Sequence, residues 1–342
     1  MSTDKPDVDY VFTTSPEPGE TQDVTTGIRW LRMPLPFALS HINLWLLDDG
    51  EGCTIVDTGV NTKESREIWR RQLDGTRVSR VLVTHLHPDH AGCAGWLSET
   101  YDAELWMTRE EYLLCRVLTA DTGRAAPAAG VGFYRAAGFP DNALDRYREL
   151  FGMFGKFVAE LPEAYTRLRD GQTVSIGGRE WEVIVGRGHS PEHACLACHA
   201  DGLLISGDQV LPTISSNVSV FPTEPLADPL DDWLTSLHML KDRVAADTLV
   251  LPSHGRPFRG VRQRLDALIE EHKQALDALA DRLKIPQRAI DVFPALFKTE
   301  IKRGNLIMAT GESIAHLNYL IGQGIVERER DADQVDWYRT LT

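Results

Sequence analysis

With 342 residues, 42% of them hydrophobic and 25% charged, the chain has the composition of an ordinary globular protein. It is long enough for a large domain with additions. A formal net charge of −14 argues against a polyanionic partner, because neutralising phosphates takes a cationic face. No stretch approaches the ~18 apolar residues of a membrane span, the start is polar and acidic, and five scattered cysteines make no disulfide framework. The expectation is a cytoplasmic protein acting on a small molecule, with no nucleic acid or membrane partner and with self-association into a homo-oligomer left open.

In chain order, residues 1–22 read as a flexible polar arm. A catalytic domain is expected over 23–260. Ile42, Leu44, Leu46 and Leu47 lie in a strand-like run ended by Asp48-Asp49-Gly50. Residues 53–56 form a second strand, stopped at Asp57-Thr58-Gly59. A helix over 63–73 and the apolar strand Val81-Leu82-Val83 complete an α/β unit. Residues 108–169 break the pattern, reading as a helical insertion rich in aromatics and arginine. Strands resume over 173–176, 181–185, 194–198, 203–206 and 248–251. Residues 261–342 form a C-terminal domain, beginning with an amphipathic helix over 261–284. A helix over 311–323 and two short strands near 325–326 and 335–338 then give it a winged-helix-like outline.

The strongest chemical signal follows the strand at 81–83. In Thr84-His85-Leu86-His87-Pro88-Asp89-His90-Ala91-Gly92, three imidazoles and a carboxylate crowd together. Such a cluster is costly to bury without a partner, and these are the donors that Zn²⁺, Fe²⁺ or Mn²⁺ accept. In extended chain His85 and His87 project to one side and can share an ion. The turn at Pro88 lets Asp89 and His90 face another. Further donors are expected at other strand ends beside glycines: His189 in Gly188-His189-Ser190-Pro191-Glu192-His193, Asp208 in Ser206-Gly207-Asp208, and His254 in Ser253-His254-Gly255.

These motifs resemble the metallo-β-lactamase superfamily. Its H-x-H-x-D-H motif matches His85, His87, Asp89 and His90, its G-H-[ST]-P-x-H segment matches His189 and His193, and its bridging aspartate and last histidine match Asp208 and His254. The resemblance covers roughly residues 28–260. It implies a four-layer αββα sandwich with two divalent metal ions, Zn²⁺ first and Fe or Mn as alternatives, around a shared hydroxide. His85, His87 and His189 would hold one ion, Asp89, His90 and His254 the other, with Asp208 bridging. Asp89 and Asp208 are the expected catalytic carboxylates, and Asp57 and His193 the expected supports behind the ligands.

The T-H-x-H-x-D-H-x-G form is similar to the glyoxalase II type, which cleaves thioesters, although the residues after Asp208 depart from that type's glutathione site. The expected activity is hydrolysis of a thioester, ester or lactone. The alternatives are a phosphodiesterase or ribonuclease of this fold, or a mononuclear-iron enzyme like the persulfide dioxygenases. Tyr112, Tyr134, Phe151 and Phe154 of the insertion are candidates for an apolar substrate pocket. Cys195 and Cys198 lie three apart in a strand, so they face opposite sides and read as structural.

Overall fold

A computed structural model describes residues 8–36 and 39–341. The first strand, β1 (Asp9–Tyr10), belongs to the second of two sheets. The first sheet runs in unbroken order through β2 (Thr21–Thr25), β3 (Ile28–Pro34), β4 (His41–Asp49), β5 (Gly52–Val56), β6 (Arg77–Leu82), β7 (Glu104–Met107) and β8 (Thr166–Arg167). The second holds β9 (Thr173–Ile176), β10 (Arg179–Gly186), β11 (His193–Cys198), β12 (Leu203–Gly207), β13 (Leu249–Pro252) and β14 (Phe258–Arg259), with β1 on the far edge beside β14.

Each strand serves two layers because its side chains alternate. On β4, Trp45 and Leu47 enter the core between the sheets, where they meet Trp30, Trp181 and Val183. Ile42, Leu44 and Leu46 point the other way, into the core beneath α1 (Lys63–Gln72), α2 (Pro88–Ala91) and α3 (Ala94–Tyr101). On β11, Cys198 faces the inter-sheet core and Cys195 the outer one. Both thiols are buried and free, as their spacing predicts. The outer core of the second sheet is covered by α7 (Pro229–Arg243) and α8 (Val261–Arg282). Helices, sheet, sheet and helices make the expected four layers.

The insertion contains α4 (Arg109–Ala120), α5 (Ala128–Ala136) and α6 (Asp141–Leu150) before the chain returns as β8. The C-terminal domain follows α8 with α9 (Phe293–Leu296), α10 (Leu306–Gly322) and the antiparallel hairpin β15 (Val326–Arg330) and β16 (Asp336–Thr340). Helix α10 starts at Leu306, ahead of the 311–323 read from sequence. Gly311 lowers local helix propensity there, but tertiary contact overrides it. A Cβ on Gly311 would stand 2.8 Å from Ser219 Cβ, and Val220 N–H bonds the Gly311 carbonyl at 3.0 Å.

The expected arm needs correction. Residues 1–7 lie outside the described range, but Asp9 and Tyr10 pair with Arg259 and Phe258, and Thr21 already begins β2. Arg256 lies 4.1 Å from the Tyr10 ring centroid and donates to the Phe12 and Thr13 carbonyls. Backbone pairing onto a sheet edge needs no apolar signature, so polar composition concealed it.

Candidate metal centre

The site forms where parallel strand pairs from the two sheets end. In the first sheet β5 and β6 run parallel, and Asp57 and Thr84 follow just beyond their ends. In the second, β12 and β13 run parallel, leading into Asp208 and His254. His189 comes from the turn between β10 and β11. Donors far apart in sequence therefore meet, as the strand-end reading predicts.

The donor atoms fall into two sets. His85 Nε2 lies 2.9 Å from His87 Nδ1 and 3.3 Å from His189 Nε2, which is 3.4 Å from Asp208 Oδ2. On the other side, Asp208 Oδ1 is 3.5 Å from His90 Nε2 and 3.6 Å from His254 Nε2, while Asp89 Oδ2 is 3.3 Å from His254 Nε2 and 3.8 Å from His90 Nε2. Donors held tetrahedrally at ~2.0–2.2 Å from a zinc ion lie about 3.3–3.6 Å apart. Five of these seven spacings fit that figure, while the His85–His87 pair is closer at 2.9 Å and the Asp89–His90 pair wider at 3.8 Å. Apart from the His85–His87 contact they are long for hydrogen bonds, and His90 Nε2, His254 Nε2 and Asp208 Oδ1 are buried without any hydrogen-bond partner. Buried polar atoms left unpaired and aimed at one another are what a cation would satisfy. The clusters His85–His87–His189, His85–His90–Asp208 and Asp89–His90–His254 each bring donor atoms within 4.8 Å.

The surrounding bonds settle which nitrogen each ring presents. His90 Nδ1 is 2.8 Å from the Asp57 carboxylate, His189 Nδ1 2.7 Å from the Asn217 carbonyl, and His254 Nδ1 3.0 Å from the His41 carbonyl. All three partners only accept, so each Nδ1 carries the proton and each Nε2 turns a lone pair inward. Thr84 Oγ1 donates to Asp57 at 2.8 Å and so receives the Nδ1–H of His85 at 3.1 Å. His193 is reversed. Its Nε2 accepts the Asp208 amide at 3.0 Å, so it steadies the Asp208 backbone and cannot act as an inward donor.

Electrostatics divide the centre in the same way. Burial, reinforced by the neighbouring imidazoles His90 and His87, drives His85 well below the usual histidine value. Burial and His189 bring His87 down to about 3. Burial also opposes charge on His90, but Asp57, Asp208 and Asp89 outweigh it and push that ring well up. Asp208 is held well down against its burial by His90, His254 and His189. Burial thus disfavours charge on His85 and His87, whereas three carboxylates crowd around His90, where a bound cation would offset their charge.

Further residues hold this frame, and of them sequence reading passed over Glu111 and Asn43. Glu111, fully buried on α4, accepts the Leu86 amide at 2.9 Å and the Glu192 amide at 2.8 Å, tying the two histidine loops together. Asn43 donates to the Pro252 and Gly255 carbonyls at 2.8 and 2.7 Å and so fixes the His254 turn. Gly92 is a steric requirement, since a Cβ there would meet the Pro88 carbonyl at 2.3 Å and the Gly59 carbonyl at 2.4 Å. Asp57 holds a positive φ of 60°, backbone strain that a non-glycine residue keeps only where its surroundings enforce it. Glu111 and Asn43 have no local sequence signature, whereas Asp57 and Gly92 stand in the motifs themselves.

The pocket aromatics are placed elsewhere. Tyr112 stacks on Tyr165 at 3.8 Å and donates to the Pro162 and Glu163 carbonyls. Tyr134 and Phe151 pack around Tyr147, and Phe154 against the core of the first sheet. Tyr134 and Phe151 fill the insertion's own interior while Tyr112 and Phe154 join the core of the first sheet, because aromatic surface buries most cheaply against its neighbours.

The model of the metallo-beta-lactamase superfamily matches residues 39–256. The chain belongs to that superfamily. A second model, the metallo-beta-lactamase-like C-terminal domain, matches residues 276–341. A beta-lactamase domain protein from Burkholderia ambifaria is 44% identical, with a TM-score of 0.89, and the match covers 98% of each chain. The probable metallo-hydrolase YqjP of Bacillus subtilis is 26% identical over 94% of this chain and 99% of its own. An atrochrysone carboxyl ACP thioesterase from Aspergillus fumigatus is 24% identical over 72% of this chain, a match that spans 45% of the relative's own length. With its donor clusters, this superfamily member is a metal-dependent hydrolase with a candidate dinuclear site. No helix among the described residues is long and apolar enough to cross a membrane.

Proposed function

We propose that the chain hydrolyses acyl thioesters, with related esters and lactones as secondary substrates, at a centre of two zinc ions. His85, His87, His189 and Asp208 would hold one ion and Asp89, His90, His254 and Asp208 the other, donor sets of nitrogen and oxygen that suit zinc. The observation that carries hydrolysis is the division of the Asp208 carboxylate, Oδ2 toward His189 and Oδ1 toward His90 and His254. When bound, such a metal pair supplies Lewis acidity and a water acidic enough to lose its proton near neutral pH. Asp57, Asn217 and His41 hold the Nδ1 protons of three ligands outward, while Glu111 fixes the spacing of the two histidine loops. Asp89 keeps 19% of its side-chain surface open against 11% for Asp208, and so it is the carboxylate that would be better placed to take a proton from an attacking water.

The acyl preference is supported by the segment after Asp208. Residues 209–223 carry no charged side chain, and Ile214 and Phe221 within them are exposed. An acyl chain can lie on such a surface, whereas a phosphodiester backbone needs cations. Helix α10, where the winged-helix outline would put a recognition helix, contains no Lys or Arg and is largely buried. The thioesterase among the relatives points the same way.

The test is a comparison of kcat/KM on metal-quantified protein among acyl-coenzyme A thioesters, aryl esters, lactones and a bis-aryl phosphodiester. The thioesters should lead by at least tenfold. Turnover of the phosphodiester or of RNA with no thioesterase activity would reject the proposal.

A further inference from the structure

Helix α10 belongs to the C-terminal domain, yet a chain of hydrogen bonds runs from it to a donor of the metal centre. Glu312 Oε2 accepts Asn217 Nδ2–H at 2.6 Å. Ser219 Oγ donates to Asn217 Oδ1 at 2.6 Å and also approaches the Met308 carbonyl of α10 at 3.3 Å. The side-chain amide of Asn217 is thus held at both ends. Its backbone carbonyl receives the Nδ1–H of His189 at 2.7 Å, which leaves Nε2 facing His85 and Asp208. The close approach at Gly311 presses α10 onto this same stretch of chain.

Glu312 is an unusual choice for that position. Burial pushes its carboxyl up to about 7, against the bond from Asn217, and among the described residues no Lys, Arg or His pairs with it. A carboxylate without a counter-charge is costly to enclose, and an apolar side chain would fill the space more cheaply. What the carboxylate supplies and an apolar group cannot is an acceptor for Asn217. Ser216, in the same stretch, donates to the Asp208 carbonyl at 2.5 Å, so the 215–219 segment touches two donor residues of the site.

We propose that Glu312 is a positioning residue of the metal centre, acting through Asn217 to orient His189, so that the C-terminal domain completes the site instead of merely flanking it. This rests on the dinuclear reading above. Partners that touch a metal-binding histidine directly are worth ~10–100-fold in metal affinity, and a residue one bond further out belongs at the low end.

The experiment uses the full chain and three variants, Glu312→Met, Glu312→Gln and Ser219→Ala. It measures zinc affinity by chelator competition and the visible absorption of the cobalt-loaded protein. Glu312→Met keeps the volume and loses the acceptor. It should bind one of the two ions about tenfold more weakly and shift the cobalt bands, with the melting temperature of the metal-free protein little changed. Glu312→Gln keeps an acceptor oxygen and should restore both readouts. A folded Glu312→Met protein with unaltered affinity and spectrum overturns the proposal. If that variant does not fold, Ser219→Ala decides, since it removes one hydroxyl from the Asn217 clamp; unchanged affinity there overturns it equally. Wild-type protein that binds fewer than two ions overturns the dinuclear reading itself, whereas two ions in the wild type and indifferent variants remove only the role of Glu312.

Discussion

Replacing Asp57 with asparagine alters one atom and almost no volume, yet the hydrogen-bond geometry gives it a large consequence. Three donors converge on this carboxylate: the Thr84 amide at 2.8 Å, the Thr84 hydroxyl at 2.8 Å and His90 Nδ1–H at 2.8 Å. An amide has one acceptor oxygen and one NH₂, so either orientation sets N–H against N–H. With the NH₂ toward His90, the ring must accept at Nδ1 and carry its proton on Nε2, the atom that faces Asp208 at 3.5 Å. With the NH₂ toward Thr84, a backbone donor is left buried and unpaired at a cost of about 1–3 kcal/mol. Either way the His90 side of the centre should lose about 10–100-fold in metal affinity, which corresponds to roughly 1.4–2.7 kcal/mol. The assay is metal content after dialysis against a graded chelator, paired with hydrolysis of the best thioester at limiting and at excess zinc. Asp57→Asn should keep one ion, lose the second at chelator levels the wild type tolerates, and regain part of its turnover in excess zinc. A folded variant holding both ions with wild-type affinity and turnover would show that the tautomer argument is wrong.

Other expectations follow from the same frame. Gly92→Ala drives a methyl group into three backbone atoms, Asn61 N at 2.7 Å among them, and should unfold the motif loop; soluble protein with normal metal content would contradict the steric reading. Glu111→Ala strands the Leu86 and Glu192 amides and should lower stability by about 2–4 kcal/mol, at ~1–3 kcal/mol for each buried donor with some relaxation, as read by urea unfolding. Removing the metals should lower the melting temperature, because free zinc at a thousandfold its Kd stabilises the folded state by about 4.1 kcal/mol; calorimetry with and without chelator checks it. Glu312 sets a pH dependence. Its folded carboxyl sits at about 7 instead of 4.5, so between those values the folded protein keeps a proton that the unfolded chain has lost, and stability falls as pH rises through that window. The nearby His272 and His316, brought down to about 3 and about 4 mainly by burial, stay neutral across it. Glu312→Gln should flatten the slope in chemical denaturation, and an unchanged slope would remove Glu312 as its source.

Much of the architecture was legible along the chain. Short apolar runs located β4, β10, β11 and β12 within a residue or two, because each of these strands lies between two cores and buries side chains on both faces. The 261–284 stripe marked α8 for the related reason that one face of it is buried. By contrast β1, β2 and β14 left little trace. β1 and β2 are short edge strands and β14 is a two-residue strand between β1 and β13; all are held by backbone bonds, which do not depend on side-chain identity.

The same division runs through the site. Sequence alone determined which side chains could bind metal, because donor chemistry is a property of residue type and the motif spacing after each strand limits where those donors can go. Only the tertiary structure decided how the donors are used: which oxygen of Asp208 faces which histidines, which nitrogen of each ring is turned inward, and that His193 points backward. It also decided that Glu111, Asn43, Asn217 and Glu312 matter at all. These residues act on atoms brought near by folding, some of them backbone atoms that every residue possesses, so no local pattern could mark them. The candidate pocket aromatics failed for the converse reason: an aromatic ring carries the same signal whether it lines a cavity or packs a helix, and only its neighbours tell the two apart.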